Sequence, residues 1–395
     1  MIADRILEIE ESSTLAMAQK SRDLIKQGKK IINLSLGEPD FETPNFIKNA
    51  AKKAIDNNFS KYTPVPGYDE LRSVISEKFL RDNQLNYNKD QIVCSTGAKQ
   101  SLMQILLCIL NPNDEIILPS PYWVSYYQMV KFAKAKPVIL NTSIENNFKI
   151  CKEQLENAIT NKTKAFLINS PSNPTGSVYS KKELKEIAEV LKNHPNIIVI
   201  SDEIYEHINF TKNHTSIGEF LCTKKQVVTV NGLSKGFAMT GWRLGYLGAP
   251  KKITNACIKI QGQFTSGTCS ITQKAAVSAL SKKPSFTKRM KEEFQKRRDL
   301  TINLLEDIPG IKIPKPDGAF YIFSDFSYYF NKKNNNKLIK NNDDLSMFLL
   351  EEAEVATVSG SAFGDENCIR ISIASSKNDL IKAISRIKKC LAKLS

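Results

Sequence analysis

Short runs of mainly apolar, β-branched residues alternate with helical segments through the middle of the 395-residue chain. In chain order the runs are QIVCST, DEIILP, KPVILN, KAFLINS, NIIVIS, VVTVNG and RLGYLG. Between them, apolar residues recur with the period of a helix from Leu102 to Ile109, and Ser180 followed by Glu183 is typical of a helix start. Strands separated by helices predict a mostly parallel sheet that helices cover on both faces.

The last third of the chain follows a different pattern. A long charged helix is predicted over 285–305, and IKIPKPDGAFYIF then predicts a pair of alternating strands. The stretch NKKNNNKLIKNND is almost free of apolar residues and predicts a solvated loop. A helix near 345–354 and the strand CIRISIAS follow it. This pattern indicates a smaller α+β unit.

Composition and charge exclude several classes of protein. No apolar run approaches the roughly 18 residues that a membrane-spanning helix needs. The N-terminal stretch MIADRILEIEESS carries acids where a signal peptide would carry basic residues, so we expect a cytoplasmic protein. The net charge is +15, but the ten arginines and 46 lysines are scattered along the chain. Because nucleic-acid binders concentrate their basic residues on one face, we expect no nucleic-acid partner.

The eight cysteines show no C-x-x-C pair and no cysteine–histidine spacing suited to zinc. Several lie in apolar runs such as QSLMQILLCIL, where a thiol packs as a small apolar group. We therefore expect buried, reduced cysteines and no metal site.

Lys235 follows the run VVTVNG at the carboxyl end of a predicted strand, where open parallel sheets bind their ligands. Arg243 comes eight residues later, and the chain has no other arginine between Arg81 and Arg289. A lysine that bonds covalently to a carbonyl group and an arginine that binds a phosphate would account for this pair.

Two further segments place polar groups at the ends of predicted strands. Asp202 directly follows NIIVIS, where a carboxylate needs a cationic partner such as the protonated ring nitrogen of a cofactor. Capping of a following helix is an equally good explanation from the spacing alone. In CSTGAKQSL, Gly97, Ala98 and Lys99 stand at a helix start, whose amides and dipole favour a phosphate.

Two more residues could bind a substrate. The segment INSPSNPTG predicts a rigid loop after a buried strand, where Asn173 could present its amide to a ligand. In CIRISIAS, Arg370 and Ser372 share one face of a strand and isoleucines share the other. Arg370 needs an anion, which could be a substrate carboxylate or the partner in a structural ion pair.

Eight motifs, in their order and spacing, resemble the class I aminotransferases of pyridoxal-phosphate fold type I. They are GEPDF, SKYTPVPGYDELR, STGAKQ, SPYWVSY, SPSNPTG, SDEIYEH, SKGFAMTGWRLGY and IRISIAS. The resemblance covers essentially the whole chain and is strongest to the bacterial branch of aspartate and prephenate aminotransferases. It implies an α/β fold, with a large domain built on a mostly parallel sheet covered by helices and a smaller α+β domain. We expect the large cofactor-binding domain at 46–284 and the C-terminal small domain at 285–395, with the N-terminal segment 1–45 belonging to the small domain.

The resemblance also implies that the cofactor is pyridoxal 5'-phosphate. Lys235 would bond to the cofactor and carry the proton that moves during the reaction. Asp202 would pair with the ring nitrogen, and Tyr205 and Asn173 would donate to the phenolic oxygen. The remaining cofactor contacts would come from Trp123 on the ring, and from Gly97, Ala98, Lys99, Ser234, Arg243 and a second subunit's Tyr62 around the phosphate. Many relatives carry a serine where this chain has Gly232, so one hydroxyl contact to the phosphate is in doubt.

For the substrate, the resemblance implies that Gly37 and Arg370 bind the α-carboxylate, with Trp123 and Asn173 nearby. Thr14 and Lys99 would bind the distal carboxylate of an acidic substrate. The implied reaction is reversible amino transfer between L-aspartate and 2-oxoglutarate, giving oxaloacetate and L-glutamate, in a homodimer with shared active sites. Prephenate, giving arogenate, is expected as a second substrate.

Three alternatives to this reaction remain on the sequence. The first is an aminotransferase of broader specificity, for alanine or aromatic amino acids. The second is another pyridoxal-phosphate reaction, such as β-elimination or decarboxylation, although a bound α-carboxylate at Arg370 argues against decarboxylation. The third is a non-catalytic sensor, which would need a fused DNA-binding module. Because the chain begins at the catalytic domain, we expect no such module.

Overall fold

The computed structural model describes residues 2–281, 285–334 and 337–395. The helices are α1 (Asp4–Leu7), α2 (Ser13–Lys26), α3 (Asn45–Asp56), α4 (Asp69–Asn83), α5 (Ala98–Ile109), α6 (Val124–Phe132), α7 (Lys152–Ala158), α8 (Lys181–Lys192), α9 (Lys251–Phe264), α10 (Ser270–Leu280), α11 (Ser285–Glu306), α12 (Asn342–Glu352) and α13 (Lys377–Leu391). The strands are β1 (Ile32–Asn33), β2 (Ile92–Ser95), β3 (Glu115–Ser120), β4 (Lys136–Asn141), β5 (Thr163–Asn169), β6 (Ile198–Asp202), β7 (Val227–Gly232), β8 (Gly245–Gly248), β9 (Tyr321–Asp325), β10 (Lys333–Asn334), β11 (Lys337–Leu338), β12 (Val355–Ala356), β13 (Val358–Ser359) and β14 (Cys368–Ser372).

A seven-stranded sheet with the order β2-β8-β7-β6-β5-β3-β4 forms the centre of the molecule. Its neighbouring strands are parallel from β7 to β4, while β8 runs antiparallel to both β2 and β7. Each of the seven apolar runs contributes one of these strands. The mostly parallel sheet that the alternating pattern predicts is therefore confirmed.

Side chains on the two faces of the sheet enter different hydrophobic clusters. Along β3, Ile116 and Leu118 pack with Leu102 of α5, whereas the intervening Ile117 packs with Leu184 of α8. This alternation is the period of two that a strand imposes on its side chains. Helices therefore cover both faces of the sheet, which explains why the strands are apolar throughout.

Two smaller sheets lie beside the central one, and one of them joins the two ends of the chain. An antiparallel sheet has the order β13-β14-β9, and β1 from the N-terminal segment pairs in parallel with β12 near the C-terminus. These pairings agree with a small unit built from both termini. The domain boundaries themselves stay a prediction, and the one at 284 lies outside the described residues.

Two expectations for the last third are wrong in detail. IKIPKPDGAFYIF contains only the strand β9, and Lys312 makes a single bridge to Asp325 instead of forming a second strand. In the polar stretch 331–343, β10 and β11 pair as a short antiparallel ladder, and Ile339 beside it is completely buried. Residues 335 and 336 of that stretch lie outside the described part. The buried isoleucine explains why the segment is not a solvated loop.

The cysteines follow the expectation only in part. All eight are free, and Cys94, Cys257, Cys368 and Cys390 are buried. Cys151, Cys222 and Cys269 are exposed, so the prediction that the thiols are buried is wrong for these three. In the part of the chain that the structure describes, no helix is both long and apolar enough to cross a membrane.

Candidate active site

A cavity of about 280 Å³ lies at the carboxyl edge of the central sheet. Asn169 and Asp202 end the neighbouring strands β5 and β6 there and are register partners. The cavity is lined by twelve of the residues that the sequence predicts for a site: Thr14, Gly37, Ala98, Lys99, Trp123, Asn173, Asp202, Tyr205, Ser234, Lys235, Arg243 and Arg370. Parallel strands bring their ends to one edge, so residues far apart in the chain meet at this point.

Lys235 stands in the turn after β7 with its side chain directed into this cavity. Its ammonium group donates a hydrogen bond to the backbone oxygen of Gly37. Burial lowers the pKa of Lys235 to about 8, and although Glu38 opposes this, the charges of Arg370 and Arg243 act in the same direction. The lowered pKa gives the amine a larger neutral fraction at neutral pH than an ordinary lysine has, and the neutral amine is the form that a lysine nucleophile requires.

Asp202 is buried at the end of β6. Its Oδ2 accepts a hydrogen bond from the Tyr126 hydroxyl (2.6 Å) and its Oδ1 accepts one from the backbone N–H of Ile204 (3.1 Å). Burial raises the pKa of Asp202 to about 6, against the effect of these two donors. The chain after Asp202 forms turns and no helix begins there, so helix capping is the wrong explanation for this carboxylate. A cation bound in the cavity would compensate it.

Arg370 is the largest fully buried side chain, at 1% exposure. Its guanidinium group donates to Asn173 Oδ1 (3.0 Å) and to the backbone oxygen of Ser35 (2.6 Å), and it packs 4.4 Å from the ring centre of Tyr321. Its Nε has no hydrogen-bond partner, and no carboxylate among the described residues pairs with it. The structural ion pair is therefore the wrong explanation, and the group can receive an anion from the cavity.

The start of helix α5 forms one end of the cavity together with Arg243. Gly97 has φ +84°, and a Cβ there would lie 2.5 Å from the Arg243 guanidinium, so only glycine admits this contact. Arg243 itself has φ +54°, a left-handed conformation that is uncommon outside glycine. The amide of Gly97 is not free for a ligand, because it donates to the Ser95 oxygen (2.8 Å). Arg243, Ser234 and the first amides of α5 remain as a site for an anion such as phosphate.

Aromatic side chains form the walls of the cavity. The hydroxyls of Tyr205 and Tyr321 share a hydrogen bond of 2.8 Å, and burial raises the pKa of Tyr205 well above 10. Tyr205 is therefore a hydrogen-bond donor at neutral pH. At the outer side, the Lys99 ammonium lies 5.0 Å from the ring centre of Trp123, and Thr14 of α2 lines the same region.

Two residues of the expected site lie outside this cavity. Gly97 does not line the cavity itself, but the next residue, Ala98, does. Tyr62 is 97% exposed and contacts nothing in the cavity of its own chain. The chain's departure at Gly232 has a packing reason, since a Cβ there would lie 3.0 Å from the backbone oxygen of Leu244 and 3.1 Å from Ile204.

Of the nine lining residues that the sequence did not predict, three make side-chain hydrogen bonds to predicted ones. Tyr126 donates to the Asp202 carboxylate, and the Tyr321 hydroxyl shares a hydrogen bond with that of Tyr205. The Asn169 side chain accepts from the backbone N–H of Asn173 (2.8 Å) and donates to the Asp202 backbone oxygen (2.9 Å). Asn169 could have been found, because it ends a buried strand as Asp202 does. Tyr126 could also have been found, because it lies three residues after Trp123 and thus on the same side of a helix. The sequence shows no signal for Tyr321.

The chemistry of this donor set fits a ligand with an anionic end and a cationic ring. Arg243 and Arg370 are guanidinium groups without carboxylate partners among the described residues, and Asp202 is a buried carboxylate without a cation in contact. Between them stands the amine of Lys235, whose pKa is lowered. Pyridoxal phosphate has the matching phosphate, ring nitrogen and aldehyde.

The sequence profile of the family described as "Aminotransferase class I and II" matches residues 29–387. The chain is 46% identical over 395 residues, 99% of this chain and 82% of the relative, to a bifunctional aspartate aminotransferase and glutamate/aspartate-prephenate aminotransferase of Petunia hybrida. It is 43% identical to an aspartate/prephenate aminotransferase of Nitrosomonas europaea, covering 99% of this chain and all of that protein.

Solved structures agree with these relatives. The aspartate aminotransferase from Rhizobium meliloti superposes with a TM-score of 0.96 at 41% identity over the full length of both chains. The aspartate aminotransferase from Thermus thermophilus, solved with maleate, gives 0.93 at 37% identity over 99% of each chain.

Proposed function

Because the chain belongs to the family of class I and II aminotransferases, we propose that it transfers the amino group of L-aspartate to 2-oxoglutarate, with prephenate as a second amino acceptor that gives arogenate. It is a pyridoxal-phosphate-dependent aminotransferase of fold type I. The observation that carries the proposal is that one cavity brings together Lys235, Asp202 and Arg370. Of the proposed substrates, aspartate and prephenate are the ones that the names of its relatives give. The cytoplasmic location stays a prediction.

The residues around the cavity would hold the cofactor by matching its charges. Asp202 would face the ring nitrogen, and its own position is fixed by Tyr126. Tyr205 and Asn173 would donate to the phenolic oxygen. Arg243, Ser234 and the start of α5 would bind the phosphate. When bound, pyridoxal phosphate supplies an electron-withdrawing ring that stabilises negative charge on the α-carbon of the substrate.

The chain's own groups then bind the substrate and move its proton. Arg370 receives the α-carboxylate and orients the substrate, and Asn173 fixes the guanidinium by accepting one of its hydrogen bonds. Lys235 accepts the α-proton as a neutral amine, which its lowered pKa makes available. Because Arg370 holds the carboxylate in place, the bond to the carboxylate stays intact, which favours amino transfer over decarboxylation.

Incubation of the purified protein with aspartate and 2-oxoglutarate tests the proposal. Equal amounts of glutamate and oxaloacetate should form, as measured by amino-acid analysis and a coupled assay for oxaloacetate. Formation of β-alanine from aspartate would identify decarboxylation instead. Formation of pyruvate and ammonia from serine, whose β-hydroxyl can leave, would identify elimination. No product at all from a protein that carries the cofactor would favour the non-catalytic alternative.

Replacing Lys99 by alanine is expected to distinguish acidic from neutral substrates. If Lys99 binds the distal carboxylate, kcat/KM for aspartate and prephenate should fall about ten- to hundredfold, the usual loss for a charge-assisted hydrogen bond. The measurement is kcat/KM for aspartate, prephenate and alanine in the wild type and in Lys99→Ala. Alanine has no distal carboxylate and should be nearly unaffected. An equal loss for alanine would place Lys99 at the phosphate or in the fold, and would leave the acidic specificity without support.

We also propose a homodimer whose active sites are shared. Tyr62 supports it, because the loop that carries this residue holds Pro64, Pro66 and Gly67 and is stiff, yet the tyrosine is 97% exposed in one chain. In a symmetric dimer its hydroxyl would reach the phosphate of the neighbouring site, and both sites would be built in the same way. Such an obligate interface should bury more than about 2,000 Å².

Coexpression of two impaired chains tests this shared site. Tyr62→Phe should weaken cofactor binding about tenfold, the value of one hydrogen bond to a charged group, and Lys235→Ala should remove activity. A heterodimer of these two variants has one site with both the native Lys235 and the native Tyr62. That site should bind the cofactor and react as the wild type does, which a tagged, purified heterodimer can show.

The matched control places both substitutions on one chain, beside a wild-type partner. In that heterodimer the site with Lys235 lacks the donated tyrosine and should keep the weak cofactor binding of Tyr62→Phe. Equal behaviour of the two heterodimers, or full activity of a monomer at nanomolar concentration, would rule out the shared site.

A further inference from the structure

Behind the cavity lies a buried network of charged and polar side chains. Asp202 at the end of β6 and Tyr205 in the turn that follows both line the cavity, whereas Glu203 and Glu206 do not. The two glutamates are 0% and 7% exposed. Because the four residues all lie within 202–206, the positions of the glutamates and of the cavity residues are tied together.

Helix α4 holds this turn through its last residue, Asn83. The Asn83 amide donates to Glu203 Oε2 (3.1 Å) and to Glu206 Oε2 (2.6 Å), and its oxygen accepts from the ammonium group of Lys78 (2.6 Å). Lys78 is fully buried and forms an ion pair with Glu206. One cation and one amide of the same helix therefore bind both glutamates.

The loop that follows the turn closes the network from the other side. Glu203 Oε1 accepts hydrogen bonds from the hydroxyls of Ser201 (2.8 Å) and Ser216 (2.5 Å). Its Oε2 lies 3.0 Å from Nε2 of His214. Although burial opposes it, the hydrogen bond to Glu203 raises the pKa of His214, so the imidazole can add positive charge.

The same carboxylates and imidazole could be taken for a metal site. Glu203, Glu206 and His214 offer ligand atoms within 4.8 Å of one another. Glu206 Oε1, however, already forms an ion pair with Lys78 and lies 3.2 Å from Nε2 of His207. The other three glutamate oxygens accept hydrogen bonds from described side chains. A buried ion pair of this kind adds little net stability, since desolvation offsets its attraction. A role in fixing position explains the network better.

We propose that Lys78, Asn83, Glu203, Glu206 and His214, here called the anchor network, position Asp202 and Tyr205 against the cofactor. The inference rests on the proposed function. The backbone of Glu203 donates to the Val230 oxygen of β7 (2.9 Å), so the anchored turn is also fixed to the sheet. A displaced turn would move the Asp202 carboxylate and the Tyr205 hydroxyl together. The anchor residues are positioning residues, because none of them lines the cavity.

The charge of the anchor network has a second effect on the same site. Burial is the main cause that raises the pKa of Asp202 to about 6, and the negative charge of Glu203 raises this pKa further. Changing the anchor network should therefore alter both the position of the Asp202 carboxylate and its pKa. The bound cofactor reports such changes directly, because its visible absorption depends on the protonation of its ring and of its bond to lysine.

Two variants test the proposal in the full-length enzyme loaded with pyridoxal phosphate. Asn83→Ala removes both amide contacts, and the double variant Lys78→Met with Glu206→Gln removes the ion pair without leaving a buried unpaired charge. Each should raise the Kd of the cofactor about tenfold or more, since small displacements of binding groups have large effects on such geometry. The pH midpoint of the cofactor's visible spectrum should shift, and kcat should fall while KM for aspartate changes less than about twofold.

Leu191→Ala provides the control for lost stability. Leu191 is buried in α8, away from the cavity, so the variant should lower the melting temperature while keeping the wild-type Kd and spectral midpoint. If both anchor variants fail to fold, Ser216→Ala tests the proposal in their place. This variant removes one hydrogen bond to Glu203 and should raise the Kd of the cofactor about threefold. Wild-type Kd and midpoint in the folded variants would overturn the positioning role. A wild-type chain that binds no pyridoxal phosphate would instead overturn the proposed function.

Discussion

Replacing Lys235 by alanine is expected to lower the rate of transamination by at least about 10⁴-fold, because the covalent and the general-base roles are lost together. The amine stands in the cavity with Asp202 and Arg370, and its lowered pKa supplies the neutral form that both roles need. The measurement is glutamate formation from aspartate and 2-oxoglutarate with excess pyridoxal phosphate. Lys251→Ala is the matched control, since Lys251 forms a surface ion pair with Asp90 and should keep full activity.

Borohydride labelling tests the same assignment without an assay of turnover. Reduction of the wild-type enzyme should fix the cofactor on one peptide that contains Lys235, although the chain has 46 lysines. Recovery of the label on another lysine, or a Lys235→Ala variant that retains substantial activity, would contradict the assignment.

Replacing Arg370 by lysine is expected to have the second largest effect. Lysine keeps the charge but loses the planar fork that binds a carboxylate through two hydrogen bonds. It also leaves Asn173 Oδ1 and the Ser35 oxygen without donors in a buried place. At about 1.5–3 kcal/mol for each charge-assisted hydrogen bond, kcat/KM for aspartate should fall roughly 10²- to 10⁴-fold.

The comparison with β-alanine shows whether this loss concerns the α-carboxylate. β-Alanine is aspartate without that group, so Arg370→Lys should reduce the preference for aspartate over β-alanine by nearly the whole loss in kcat/KM. Arg386→Lys is the control, because Arg386 is partly exposed and lies near Glu354 on the surface. A preference that stays at its wild-type value in a folded Arg370→Lys variant would mean that Arg370 serves the fold and not the substrate.

The local pattern of the sequence was sufficient for the central sheet. Each of the seven apolar runs forms a strand, and Ser180 and Glu183 form the reciprocal cap that their spacing predicts at the start of α8. Asp202 and Lys235 could also be placed, because Asp202 directly follows an apolar run and Lys235 comes three residues after the end of one. Such features depend on neighbours within a few residues, so a single sequence contains them. The roles of the site residues came from the resemblance of eight motifs to a family.

The polar partners within the cavity could not be placed in this way. Tyr126 reaches Asp202 across 76 positions of the chain, and Arg370 reaches Asn173 across 197. No local pattern relates such pairs, since their distance depends on how the strands are ordered in the sheet. The choice between an ion pair and a free guanidinium at Arg370, and between a cap and a cofactor partner at Asp202, therefore needed the packed structure.

The sequence by itself thus determined the strands, the helix starts and the residues that stand at strand ends, because these follow from hydrophobic period and local hydrogen bonding. The tertiary structure alone decided which buried charged groups lack an oppositely charged partner in the described part of the chain. It left Arg370 and Asp202 open to the cavity and paired Lys78 with Glu206 behind it. The physical reason is that a buried charge is stable only beside a compensating group. Which group lies beside it depends on how distant parts of the chain pack together, and not on their separation in the sequence.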